Sequence, residues 1–268
     1  MPELHLGFER VSSCVNHTMK TVAVLTAVLC MLFITTSIAH GQSPWTTEIG
    51  AGLAMTNGNS NTKNINLSLG MVYDPKARAV FRVNGLYLRG DKDGTLIINQ
   101  TALTGRNEIN LSSRTFVFFQ GAFLKDTFKN INYLFSPTAG VGYKLIDSDI
   151  AVLALDTGVG GVWERDIGRD AFGRPFLLDT QGSGAYNAGE RFAWKVSSNA
   201  AVTQSFTSLW KTNNWADSLH NFSAGIAASL TQRTQLKLEF LDTFKNRPAL
   251  PTLKKNDTAL ITSLVLKF

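Results

Sequence analysis

The sequence predicts a closed antiparallel β-barrel of about twelve strands in a bacterial outer membrane, and three observations predict it. A short apolar export signal comes first. Apolar residues then alternate instead of clustering, and the segment ends in an alternating strand with Phe268 at its end.

The export signal is bounded on both sides. Met19 and Lys20 lead into an uninterrupted, largely apolar run from Val22 to Ile34, 13 residues long. A helix needs about 20 residues to cross a bilayer, so the run is too short to span one. It ends in Thr35-Thr36-Ser37-Ile38-Ala39, where Ser37 and Ala39 fit the small-x-small pattern cut by signal peptidase. Residues 1–18 read as an over-extended start, 19–41 as a removable signal peptide and 42–268 as the barrel. A retained anchor helix is the alternative for the same run, whereas Leu29 disfavours a lipoprotein reading through Cys30. Both cysteines, Cys14 and Cys30, fall in the discarded segment, which leaves the mature chain without a thiolate ligand or nucleophile.

Alternation supplies the strands. After the signal no stretch approaches the 18 apolar residues expected of a membrane helix, while 22 glycines and 17 phenylalanines are spread along the chain. Between turn residues, alternation marks candidate strands at 45–55, 64–73, 78–89, 95–109, 114–124, 133–145, 150–163, 184–196, 200–210, 218–230, 234–244 and 257–268. Most are close to the about 9–11 residues of a tilted membrane strand. Even-numbered connections are short, as in Asp74 to Ala77, Asn110 to Ser113 and Thr231 to Arg233. Odd-numbered ones are mostly long and polar: Thr56 to Lys63, Lys125 to Asn132, Glu164 to Ser183, Lys211 to Asp217 and Lys245 to Asn256. Tight periplasmic turns alternating with longer outer loops are the habit of outer-membrane barrels, and they place both termini in the periplasm.

Each strand has two unlike faces. In 64–73, Ile65, Leu67, Leu69, Met71 and Tyr73 oppose Asn66, Ser68 and Gly70; in 234–244, Leu236, Leu238 and Phe240 oppose Lys237 and Glu239. A soluble barrel would keep its apolar face inside. Here the small and polar face carries nearly all the charge, so the expected lumen-facing charges are Arg82, Arg106, Glu108, Lys144, Asp156, Arg191, Lys195, Lys237 and Glu239. The cations among them would give a weak anion preference, or would pair with Glu108, Asp156 and Glu239 and plug the barrel. Glu190, Asn99 and Gln204 fall on the apolar face, which suggests a bulge or a register error in those strands.

Particular residues carry a family resemblance. Thr56-Asn57-Gly58-Asn59-Ser60-Asn61-Thr62, with Thr56, Gly58, Asn59, Ser60 and Thr62 in the pattern, closes the first hairpin. Asp126-x-Phe128 follows, then Tyr133, Pro137 and Gly140 to Leu145. From about Trp45 to Phe268 the chain resembles a bacterial family of unknown function whose members are described as salt-induced outer-membrane proteins. The resemblance implies a barrel and transfers no catalytic residue, substrate or cofactor. The last strand, with Leu264, Leu266 and Phe268 in phase, resembles the signal read by the barrel-assembly machinery.

Chemistry is sparse. The mature chain carries His220, with His40 beside the cleavage site. A Ser-His-acid hydrolase acting on lipid or cell wall would have to use His220; an interfacial rim histidine is the plainer reading. Gly58-Asn59-Ser60 is a hairpin and no phosphate loop, since neither Lys-Ser/Thr nor a helix follows. Asp91-x-Asp93-Gly94 lacks the later ligands of a calcium loop. No metal, cofactor or nucleic-acid partner is expected. The net charge is +6, and it stays +6 once Glu3, Glu9, Arg10 and Lys20 are removed with residues 1–41. Lys129, Lys211, Lys245, Arg247, Lys254 and Lys255 are expected on the outer rim, facing lipopolysaccharide phosphates. The expected function is a narrow channel for small ions or solutes, or an envelope component under osmotic stress. A hydrolase, or a surface receptor using Glu164 to Ser183, is the alternative.

Overall fold

The computed structural model describes residues 44–57, 62–75, 78–92, 95–127 and 129–268; the signal segment, His40, Gly58 to Asn61, Asp93, Gly94 and Phe128 lie outside them. Thirteen strands follow in order: β1 Trp45–Asn57, β2 Thr62–Tyr73, β3 Ala79–Lys92, β4 Thr95–Asn110 and β5 Thr115–Asp126. Then come β6 Ile131–Asp147, β7 Ala151–Arg169, the three-residue β8 Pro175–Leu177 and β9 Gln181–Lys195. The last four are β10 Ala200–Lys211, β11 Asn214–Ser229, β12 Thr234–Lys245 and β13 Asn256–Lys267. All but β8 form one antiparallel meander, closed where β1 pairs with β13 from Glu48↔Lys267 to Asn57↔Thr258. The result is a closed barrel of twelve strands. Closure leaves no row of unpaired backbone groups at an edge.

The short turns share a local device. Ser112, Ser148 and Thr231 each accept a hydrogen bond from the N–H three residues on, at 3.0 Å in every case (Thr115, Ala151 and Thr234). A hydroxyl at the first turn position thus stands in for the next backbone acceptor and tightens the reversal. At the opposite end the wall itself projects. β7 runs on to Arg169 and returns through β8, and β11 begins at Asn214, so much of the expected loop sequence is strand. Alternation fades there because both faces meet polar surroundings.

Outward side chains are mostly apolar and ringed by aromatics at two levels. Trp45 lies 4.7 Å from Tyr73 at the short-turn end, while Phe135–Trp163 and Tyr186–Trp210 pair at 6.4 and 5.6 Å toward the other. On β6 the belts are marked by Phe135 and Tyr143, on β9 by Tyr186 and Trp194, eight residues apart in both strands. At about 3.3 Å per residue and a tilt near 40°, that spacing is ~20 Å along the axis, close to the ~25 Å apolar band of a membrane barrel.

Glu190 and Gln204 do face outward within this band, with no bulge between β9 and β10. They satisfy one another: Gln204 Nε2 donates to Glu190 Oε2 at 3.1 Å. The bulge or register error expected there is absent, and the polar pair is real. Asn99 lies outward near the open end of β4, where Thr127 Oγ1 accepts its backbone N–H at 2.9 Å.

Candidate functional site

The interior is layered. Alternation sends Arg82, Arg106, Glu108, Asp156 and Arg191 inward, and register then brings them to one level near the short turns: Arg82 pairs opposite Arg106, Arg106 opposite Gln120, and Asp156 opposite Gly142 and Gly189. Glu108 is the hub. It accepts from Arg82 Nη1 at 2.5 Å, Arg106 Nε at 2.7 Å and Arg191 Nη2 at 2.5 Å. Arg106 donates further to Asp156 Oδ2 at 2.9 Å and Gln120 Oε1 at 3.1 Å, and its guanidinium lies over the Phe118 ring at 3.8 Å. Glu108 on β4 and Arg191 on β9 are four strand steps apart around the wall, so their contact is a chord through the interior.

Glycines make room for this bar. A Cβ on Gly142 would sit 2.1 Å from the Phe116 ring, and one on Gly189 would sit 2.7 Å from an Asp156 oxygen. Phe116 and Phe118 thus lie over a bare floor and support the two arginines above them.

Above the bar the interior turns apolar. Ile131, Leu134, Val162, Ala185 and Leu219 are buried together with Leu124 and Leu209 against them, and Leu88, Ala259 and Ile261 form a second cluster on the β3–β12–β13 side. A second charged layer caps the long-loop end. Glu164 takes Lys245 on one oxygen and Lys211 at 2.6 Å on the other, and Lys211 also meets Asp217 at 2.5 Å. Lys129 reaches Asp257 at 2.7 Å and the Lys255 carbonyl at 3.2 Å. Lys129 lies two residues before β6, and β6 is six strand steps from β13 in either direction. The contact therefore spans the mouth. Asn130, with a positive φ of 54°, turns the β5–β6 connection inward, and its carbonyl accepts the Ile167 N–H at 2.7 Å.

This corrects the expected rim. Lys129, Lys211 and Lys245 are turned into the barrel against carboxylates and are not offered to an outer phosphate surface, whereas Arg247, Lys254 and Lys255 are exposed. Lys211 and Lys245 are the last residues of inward-phased strands, one position beyond the expected ends, and sequence reasoning missed their layer for that reason. Of the other expected lumen charges, Lys237 pairs with Glu239 at 2.9 Å on β12. Lys144 bonds Asp147 at the end of the same strand at 3.1 Å, and Lys195 is exposed at the end of β9, so neither joins the bar.

The remaining residues fall into place singly. Thr56 pairs with Thr62 at the head of the first hairpin. Leu264 and Leu266 face outward on the strand that zips to β1, with the Phe268 N–H donating to the Thr47 carbonyl at 2.9 Å. His220 also faces outward, one pair below Trp210, with Ser208 Oγ on Nδ1 and Ser218 Oγ 2.9 Å from Nε2. Both serines are nearly fully buried, at 2% and 5% exposure, so neither hydroxyl is presented for attack. The Glu164 to Ser183 segment is an ordered hairpin whose turn is held by Asp170, which accepts the Phe172 and Arg174 N–H groups at 2.9 Å each. Among the described residues no His, Cys, Asp and Glu group could hold a metal ion.

A closed meander with a largely apolar outside, two aromatic belts and charged layers in its interior defines an outer-membrane type of β-barrel. The chain belongs to the family described as protein of unknown function, DUF481, which matches residues 49–268. Among solved structures it is similar to the NanC porin, at 10% identity and a TM-score of 0.53 over 82% of this chain and 100% of that one. It is also similar to the translocator domain of autotransporter NalP from Neisseria meningitidis, at 9% identity and 0.52 over 96% and 98%. At these identities the likeness is one of fold. No curated protein matches the chain.

Proposed function

We propose that the protein is an integral outer-membrane barrel that conducts small ions or solutes through a narrow, charged interior and performs no catalysis of its own. The observation that carries this is the Glu108 bar. Paired guanidinium and carboxylate groups form a layer across the interior, while the outer surface is largely apolar apart from a few polar positions such as the Glu190–Gln204 pair. In this reading the short turns and both termini lie in the periplasm after the signal peptide is removed. The long-loop end faces out toward lipopolysaccharide, and the assembly machinery reads Leu264, Leu266 and Phe268.

The inner bar holds three cations, Arg82, Arg106 and Arg191, against two anions, Glu108 and Asp156, a surplus of one positive charge (3 − 2 = +1). That surplus makes a weak anion preference the natural selectivity. The family resemblance implies a role under salt or osmotic stress. The test is conductance of the refolded protein in planar bilayers. Small, steady currents support the reading; a folded, heat-modifiable barrel that never conducts moves the assignment to a structural envelope component.

A further inference from the structure

The outward face of β10–β13 carries a feature that neither conduction nor packing uses. A cavity of about 290 Å³ opens on this face, lined by Phe206, His220, Phe222, Asp242, Phe244 and Asn256. Asp242 pairs opposite Phe222 on one side and Thr258 on the other, so its carboxylate points away from the lumen. Its Oδ1 is buried with no hydrogen-bond partner. A carboxylate oxygen buried without a partner carries a desolvation cost that a donor or a cation would offset. Around it stand ring faces. His220 lies 6.3 Å from Phe206 and 5.8 Å from Phe244, and Phe222 lies 6.4 Å from Phe240.

A carboxylate among aromatic rings selects a cation, since ring faces carry negative potential and repel anions. Both nitrogens of His220 are already engaged by Ser208 and Ser218, so the imidazole forms a wall and does not serve as the missing partner of Asp242. Depth narrows the ligand further. The cavity sits just below Trp210, in the belt at the long-loop end. Beneath it Phe240, Leu238, Ile226 and Leu236 expose an unbroken apolar strip. From Phe240 to Leu236 the strip is ~13 Å long at about 3.3 Å per residue, the length of a medium acyl chain.

We propose that this cavity binds the ammonium headgroup of a membrane amphiphile, with Asp242 as counter-charge and the chain laid along the strip. The proposal rests on the outer surface facing lipid and not on conduction, so a silent channel would leave it standing.

The test uses the full-length barrel in phosphatidylglycerol nanodiscs. Brominated phosphatidylethanolamine or brominated phosphatidylglycerol of identical chains is added at low mole fraction, and Trp210, edge-on to His220 at 5.5 Å, reports their approach by quenching. The expected result is several-fold stronger quenching by the ethanolamine lipid, lost in Asp242→Asn and in Trp210→Phe and not reversed by excess tetramethylammonium. Equal quenching by both lipids overturns the proposal, as does unchanged selectivity in Asp242→Asn. Full displacement by tetramethylammonium overturns the choice of an amphiphile over a soluble amine. Release of fatty acid that Ser208→Ala abolishes would overturn it in favour of a hydrolase.

Discussion

Replacing Glu108 by Gln removes the negative charge, and one of the two acceptor oxygens, that Arg82, Arg106 and Arg191 share at 2.5, 2.7 and 2.5 Å, and leaves Asp156 as the carboxylate still holding Arg106. The side chains of Glu108 and Arg106 are 7% and 9% exposed, so the pair belongs with buried ones, where stranding one partner costs about 3–5 kcal/mol. Arg82 and Arg191 are 32% and 33% exposed; interior water can hydrate them, and each adds a few tenths of a kcal/mol at most, about the worth of an exposed pair. The low end of the buried range therefore applies, about 3 kcal/mol in total. Reversible urea unfolding in lipid vesicles, followed by tryptophan fluorescence, measures it as a lowered midpoint at unchanged slope. The double variant Arg106→Met with Glu108→Met should lose less than the two single changes summed. A loss below about 1 kcal/mol for Glu108→Gln, a value typical of exposed pairs, would show that water already solvates the bar and that it holds nothing together.

Three further outcomes follow from the same geometry. Lys129→Ala or Asp257→Ala unlatches the mouth at the long-loop end, so single-channel current should rise in both variants by a similar amount with selectivity little changed. Gly142→Ala forces a Cβ to 2.1 Å from the Phe116 ring, an overpacking expected to cost about 1–3 kcal/mol, and Phe116→Leu in the same chain should recover most of it in the urea assay. The Asp170 carboxyl is held below its usual range, first by the Arg174 backbone N–H and then by the Arg174 side chain and the Phe172 N–H. A depressed folded value gives order that is present above the ordinary carboxylate range and lost as pH falls through the folded value. Hydrogen exchange at Phe172 and Arg174 should thus accelerate only below the usual carboxylate range, and Asp170→Ala should show the fast rate at neutral pH.

Parity explains which parts were legible beforehand. A strand in a barrel has two environments, so Leu67 against Asn66 or Leu238 against Lys237 declares its face without any contact being known. Together with the turn residues between them, that rule marks twelve strands and most of their faces. Parity fails where a strand ends. Lys211 and Lys245, one residue past the expected boundaries, read as outer-rim lysines facing lipopolysaccharide phosphates, although their phase carries them inward to Glu164. It also fails at Lys129, whose direction depends on the positive φ of Asn130, a conformation that asparagine tolerates but does not announce. Glu190 and Gln204 looked like register errors because each is costly alone on an apolar face; only their mutual bond explains them. The cavity at Asp242 was illegible for a related reason: Phe206, His220, Asp242 and Asn256 come from four different strands, and only register joins them.

If the interior conducts past a bar with one surplus positive charge, the reversal potential of the wild-type barrel and of Glu108→Gln in planar bilayers under a potassium chloride gradient shows it. The expected result is a weak anion preference that Glu108→Gln strengthens, since the surplus rises from one charge to two (3 − 1 = +2). A cation preference, or a reversal potential indifferent to Glu108→Gln, would contradict it.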